Sequence, residues 1–420
     1  MKKYDIVIGL FLLHALLFSC AKDEEEDFVP NNKLPVEQAY STGLPVLTVN
    51  TSGRAVTSKE DWIRDSQLEL VIPGGEKVLQ TTTSIRGRGN VTWKRYPKKP
   101  YNLKLSERTG MLGMKAAKRW VLLANWADRT LLRNDVTFEM ARRTSLEWTP
   151  RGEPIELILN GTYMGAYYLC EKVQADTARL RLTEEEALPQ ATDYLMEMDA
   201  YYDEEHKFRS AVYDLPYEFR FPDDDKLSDE QFAYMKQYIR QTEETLYSDE
   251  HLMAGRYEDW IDAQSFVDWW IVNELVYNKE TGKPRSVYVY KRHGERLKAG
   301  PVWDFDFKTF TPQKSIYVAK EFPYLQRLFL NPQFQRLAIK RWQELRPLME
   351  TIPEYIDSRA ALLERSQAQN ILLWPISKSA NGDEKLEYAE AIERMKSSIL
   401  LRMNVIDEFL ESFKVQTKKQ

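Results

Sequence analysis

Cysteine and histidine are scarce in this chain, with two and four among 420 residues. A disulfide framework needs paired thiols, and a zinc centre needs closely spaced Cys and His, so neither is expected. His206, His251 and His293 lie far apart in sequence, and nothing marks a Ser-His-Asp arrangement. Membrane-spanning runs are missing too: the apolar stretch at residues 6–18 is too short to cross a bilayer comfortably. The formal net charge of −5 lacks the positive excess of a dedicated nucleic-acid binder, so no nucleic-acid partner is expected. No internal repeat is visible. What the chain does have is 43% hydrophobic residues, enough for a sizeable core in one large domain or two.

The start, "MKKYDIVIGLFLLHALLFSC", places Lys2 and Lys3 ahead of the apolar stretch, the arrangement of a secretory signal. Its end, "LFSC", resembles a bacterial lipobox. That resemblance implies a signal peptide over residues 1–19, cleavage before Cys20 and lipidation of its thiol, which tethers a protein to a membrane without spanning it. Cys170, left without a partner, reads as a small core hydrophobe in the strand-like "YMGAYYLCEKV". Residues 20–43 follow as an acidic tether poor in core-forming residues. Their acidic cluster is similar to the surface-export signal of Bacteroidetes lipoproteins, which implies an outer-membrane lipoprotein exposed at the cell surface. An ordinary flexible spacer accounts for the same residues.

Residues 44–415 read as strands first and helices later, an α+β order with a lobe boundary at about 180–228. "LPVLTVN", "QLELVIP", "TTTSIRGRGN", "PYNLKL" and "RWVLLAN" are strand candidates. The last is a nearly continuous apolar run that suits a central strand. "DRTLLRNDVTFEMARRT" has helical spacing, with Asp128 as its expected N-cap. "PIELILNGTYMGAYYLCEKV" reads as a hairpin turning at Asn160-Gly161. Helices are expected after Ser228, after Asp262 and from Tyr324 onward. Between them, "RSVYVYKR" and "RLKAGPVWDFD" form a hairpin through His293-Gly294.

Three stretches can carry chemistry. In "GPVWDFDFKTF", Asp304 and Asp306 are read at a strand end, where residues i and i+2 share a face and two carboxylates can hold one hard cation such as Mg²⁺. Trp303, Phe305 and Phe307 would then anchor the other face. Pairing with Lys308 or Lys298, or simple hydration, is the alternative. "NELVYNKETG" puts Glu280 at a helix end as a candidate base, or as an exposed helix terminus. "SIRGRGNVTWKRYPKKPYNLKL" places Gly87, Gly89, Arg86 and Arg88 in a turn. Lys98, Lys99 and Lys104 follow; Asn102 and Lys104 share a strand face. This is either a phosphate cradle or a basic turn at a sheet edge.

The order of these pieces, with "KRWVLLANWADRTLLRNDVTFEMA", "YLMEMD" and "FVDWWIVNELVYNKE", resembles the CotH-type (spore-coat protein H) kinase family over residues 85–310. The resemblance implies an atypical bilobal protein-kinase-like fold and transfer of the ATP γ-phosphate to serine or threonine of a protein substrate. It implies Asp304 as the Mg²⁺-binding aspartate, assisted by Asp306. Glu280 stands where the family's catalytic aspartate falls in an N-x-D, a departure that lengthens the side chain by one methylene. Lys104, then Lys99, match the nucleotide lysine, with Arg88 beside them and Glu171 as the acidic partner of that lysine. Arg133 and Asn134 match as pocket or core-polar residues. A competing expectation is a non-catalytic surface binding module whose cleft uses Trp93, Trp126, Trp269 and Trp270. A metal-dependent phosphoesterase would need a second metal site that the few histidines do not supply.

Overall fold

The computed structural model describes residue 30 and residues 32–185, 188–378 and 380–417; residues 1–19, expected to be a signal peptide, and Cys20 lie outside the described residues. Residues Val36–Ser41, read as the end of the tether, form a 3₁₀ turn whose Ala39 is buried in the core.

The first lobe is a closed barrel. Its strands are β1 (Val46–Asn50), β2 (Ile63–Val71), β3 (Lys77–Gly87), β4 (Tyr101–Thr109), β5 (Ala117–Leu123), β6 (Gly152–Leu159) and β7 (Thr162–Glu171). They run in the order β1-β2-β3-β4-β5-β7-β6, and β6 closes the ring by pairing parallel to β1. Period-2 alternation fills the interior: Tyr101, Leu103 and Leu105 of β4 point in, while Asn102 and Lys104 point out. On β5 and β7 both faces are covered. Trp120 and Leu122 enter the barrel core, while Val121 and Leu123 join the core of the other half. That double burial explains the unbroken apolar runs there. Two short helices interrupt the barrel, α1 (Val91–Arg95) and α2 (Arg133–Arg142).

The expected cap at Asp128 is displaced: α2 starts five residues later. Asp128 instead accepts hydrogen bonds from the Thr130 and Arg133 amides and pairs with the Arg133 guanidinium.

The second half is not purely helical up to the expected hairpin. Strands β8 (Tyr194–Met198), β9 (Lys207–Arg209) and β10 (Pro216–Phe221) precede α3 (Asp229–Tyr247), α4 (Asp249–Met253) and α5 (Ala263–Leu275). Then come β11 (Val287–Lys291) and β12 (Leu297–Ala299), the expected hairpin, which joins β8–β10 in a sheet ordered β12-β11-β8-β10-β9. Ser228 and Asp262 cap α3 and α5 as read, Ser228 in a capping box with Gln231. Five helices complete the fold: α6 (Val318–Glu321), α7 (Pro323–Leu328), α8 (Pro332–Met349), α9 (Ile352–Leu373) and α10 (Tyr388–Thr417). None of the described helices is long and apolar enough to cross a membrane.

One polar lock ties the halves together, and a second fixes the helical part. α9 lies close on β7 at Gly165, where φ is 78° and an added Cβ would come within 2.8 Å of the Asn370 side chain. There the buried Lys98 ammonium donates to Asn370 Oδ1 at 2.8 Å and to the Ala166 carbonyl. In the helical part, the fully buried Arg402 of α10 pairs with Glu274 of α5 and donates to the Gln313 and Ser315 carbonyls. Removing one member of a buried ion pair leaves the other uncompensated. Arg402→Ala is therefore expected to lower stability by about 3–5 kcal/mol, and the double substitution Glu274→Leu/Arg402→Leu to recover most of that loss. Urea unfolding of the three proteins decides it.

Candidate functional site

Between the outer face of the barrel and the second sheet lies a cleft of about 1190 Å³. Its lining mixes both signs, with Arg220 and Arg285 among the acids, yet unpaired acids and unpaired cations gather on facing sides. Asp304, Asp306 and Glu280 converge from the sheet and helix side, and Arg86, Arg88, Lys104, Arg119 and Lys172 line the barrel side.

The aspartates are not on a strand. β12 ends at Ala299, and residues 303–310 form an irregular loop with left-handed backbone at Asp304 (φ 68°), Lys308 (54°) and Phe310 (52°). Same-face strand geometry therefore does not bring the carboxyls together; the fold of the loop does, and the two share a hydrogen bond. Trp303 and Phe305 are core residues, packed on Phe138 of α2, while Phe307 is half-buried in the cleft wall. The alternative partners are engaged elsewhere: Lys298 pairs with Glu295 and Glu147, and the exposed Lys308 lies over the Phe307 ring. Among the described residues no basic group forms an ion pair with Asp304 or Asp306. Burial pushes both carboxyls above the usual range. Arg88 opposes this at Asp304; the neighbouring Asp304 charge adds to it at Asp306.

No cluster of three or more Asp, Glu, His or Cys arranged to hold a metal occurs among the described residues. The chemistry of the donor set still fits Mg²⁺, which needs only one or two carboxylates when phosphate oxygens and water complete its shell. Two neighbouring half-buried carboxylates without an ion-pair partner among the described residues are a donor set of that kind.

Glu280 sits in a 3₁₀ turn, Lys279–Gly282, capped by Asn278, whose Oδ1 accepts the Glu280 amide at 3.0 Å. Its carboxylate pairs with Arg285 at 3.0 Å. Burial and then the Asp304 charge raise it to about 7, a value suited to accepting a proton near neutrality.

The cationic wall follows from strand register. Lys104 of β4 lies directly opposite Arg119 of β5. Lys172, one residue past Glu171, which pairs with Trp120, continues the row beside Arg119. Like charges placed directly opposite destabilise a sheet. No carboxylate within ion-pair distance offsets Arg86, Arg88, Lys104, Arg119 or Lys172 among the described residues. Lys172 records the strain: burial, then Arg119, Arg220, Arg88 and Arg86, push it down to about 7. Arg88 connects the two walls, stacking over Trp303 at 5.4 Å and acting on Asp304, Asp306 and Lys172.

Two expected nucleotide residues lie elsewhere. Lys99 donates to the Trp93 carbonyl at 2.6 Å and rests over the Trp93 ring, so it braces α1 instead of lining the cleft. Glu171 is buried and accepts the Arg151 amide at 3.0 Å. Strand alternation turns it to the face opposite Lys172, so it does not partner a cleft lysine. Lys104 and Arg88 do line the cleft. Asn134, buried on α2, accepts the Phe305 amide at 2.8 Å and so holds the aspartate loop. Arg133 is a buried structural cation shared by Asp128 and Asp383.

Sequence reading missed Arg119 and Lys172, although period-2 counting from Trp120 and Cys170 puts both on the outer face. It also missed roles for Glu197 and Asp199 in "YLMEMD". Glu197 accepts Arg220 Nε at 2.7 Å, and burial followed by the Glu197 charge raises Asp199 to about 8. Of the proposed aromatic platform, Trp126, Trp269 and Trp270 are core residues.

No curated protein matches the chain. The family model described as CotH kinase protein matches residues 85–406, more than three quarters of the sequence, and the chain therefore belongs to the CotH kinase family.

Proposed function

We propose that the chain is a protein kinase of atypical bilobal fold that transfers the ATP γ-phosphoryl group to serine or threonine of an exported protein. The barrel takes the place of a nucleotide lobe; the second sheet and the helices supply the catalytic side. The observation that carries this reading is that one cleft opposes a half-buried carboxylate pair to a row of cations without ion-pair partners among the described residues. Phosphoryl transfer asks little covalent work of a protein; it asks for positioning and charge stabilisation. Lys172, Arg119 and Lys104 hold the phosphates, and Arg88 spans from them to the aspartates. Asp304 and Asp306 would hold Mg²⁺, which neutralises charge on the phosphate oxygens when bound. Glu280 accepts the proton of the attacking hydroxyl. Cys20 places the protein at the outer membrane through its lipid.

The Glu280–Arg285 ion pair favours a second reading. A base already engaged by a guanidinium is a poor proton acceptor, and the fold then binds nucleotide without transferring phosphate, as a surface binding module.

Of three outcomes, the first tests the nucleotide site common to both readings and the other two separate them. Asp304→Ala should abolish Mg²⁺-dependent heat of ATP binding in titration calorimetry of the protein from Asp27 onward. Glu280→Gln should retain that binding but lower transfer to itself or to casein by about 100-fold or more. Equal, negligible transfer by wild type and Glu280→Gln would select the binding module. The pH dependence follows from Lys172. Its pKa is depressed, so it holds its charge below about 7 and loses it above. ATP affinity should fall as pH rises through 7, and Lys172→Arg should flatten that fall.

A further inference from the structure

The loop that carries Asp304 and Asp306 has no regular secondary structure, so side chains from elsewhere set its position. Asn134 holds its Phe305 amide. The Phe310 amide is held by the Val276 carbonyl at 2.7 Å. Between these, Asn381 grips both sides of the turn. Its Nδ2 donates to the Asp306 carbonyl at 2.9 Å, and its Oδ1 accepts the Thr309 amide at 3.4 Å. The second Nδ2 hydrogen goes to the Ala127 carbonyl at 3.1 Å, on the segment that follows the barrel strand β5. Asn381 is buried, and it lies 75 residues from Asp306 in the connection between α9 and α10.

That connection is itself fixed. Glu384 accepts the amides of Ala380, Asn381 and Gly382; burial alone would raise its carboxyl, and these bonds pull it below its ordinary value. Asp383 pairs with Arg133, whose other partner is Asp128. The side chain that grips Asp306 thus rests on a frame anchored to α2 and to the turn before it.

We infer that Asn381 is a positioning residue for the metal site, acting on Asp306 through its backbone carbonyl and fixing the aspartate loop against the barrel. This rests on the reading of Asp304 and Asp306 as metal ligands. No other amino acid of this size offers two donors and an acceptor from one planar group. An aspartate at 381 keeps the shape, loses both donors and brings a carboxylate beside the Asp306 carbonyl. A serine keeps one donor.

The test is Mn²⁺ binding in the presence of ATP, read from the free Mn²⁺ signal in electron paramagnetic resonance, with thermal unfolding of each protein alongside. Asn381→Ala and Asn381→Asp should raise the Mn²⁺ dissociation constant at least tenfold. Metal-free ATP binding, which the cation row carries, should stay within twofold. Asn381→Ser should fall between them and wild type, and it remains informative if the alanine variant does not fold. Asp268→Asn, which loosens the pair between the buried Asp268 and Arg341 in the helical part, supplies a destabilised control that should bind Mn²⁺ as wild type does. Wild-type Mn²⁺ affinity in Asn381→Ser and Asn381→Asp, or equal weakening in Asp268→Asn, would overturn the inference. Absence of ATP-dependent Mn²⁺ binding in the wild type would overturn the metal reading, and this inference with it.

Discussion

Two carboxyl groups, Asp304 and Asp306, meet in a cleft wall where no basic side chain among the described residues forms an ion pair with them, and burial opposes their ionisation. An arrangement of this kind is unfavourable alone. It persists because the loop bearing it is held at its backbone. Phe305 is bound by Asn134, Asp306 and Thr309 by Asn381, and Phe310 by Val276. The core then locks the loop from behind through Trp303 and Phe305 against Phe138. The Arg133 pairs and the buried Arg402–Glu274 pair can be read as supports for this segment and for the turn that presents Glu280.

The opposite wall has the same logic with the sign reversed. Strand register forces Lys104 against Arg119, and Lys172 lies next to them. The aspartate pair and the cation row each lack ion-pair partners among the described residues, and Arg88 acts on both. A ligand with several negative charges that recruits a divalent cation relieves both walls at once. Nucleotide phosphates with Mg²⁺ have that chemistry, which is why the family assignment and the electrostatics point the same way.

Much of this was legible in the chain. Asn160-Gly161 marked the hairpin, Ser228 and Asp262 marked helix starts, and "PYNLKL" placed Lys104 on an outer face because alternation is strict there. Membership of the CotH kinase family was readable from motif order. What escaped were elements without a periodic signal. β8 is five residues buried on both faces, and β9 has three, so neither alternates. "WDFD" looked like a strand because its aromatics alternate with its acids, yet the positive φ of Asp304 ends that regularity. Lys99 and Lys172 show the limit of motif matching. A lysine inside the matched run braces Trp93, while the one after Glu171, one step of alternation away, faces the cleft. Asn381 carried no local signal at all; its role exists through contacts 72 residues and more away.

The central claim is that the carboxylate pair and the cation row are two halves of one nucleotide site. Its most direct test is a crystal structure of the protein with Mn²⁺ and a non-hydrolysable ATP analogue, using the anomalous signal of manganese to locate the ion. The account predicts a manganese peak at Asp304 and Asp306, with the phosphates lying along Arg88, Lys172 and Arg119. A nucleotide bound elsewhere, or phosphates on the cation row with no metal at the aspartates, would contradict it.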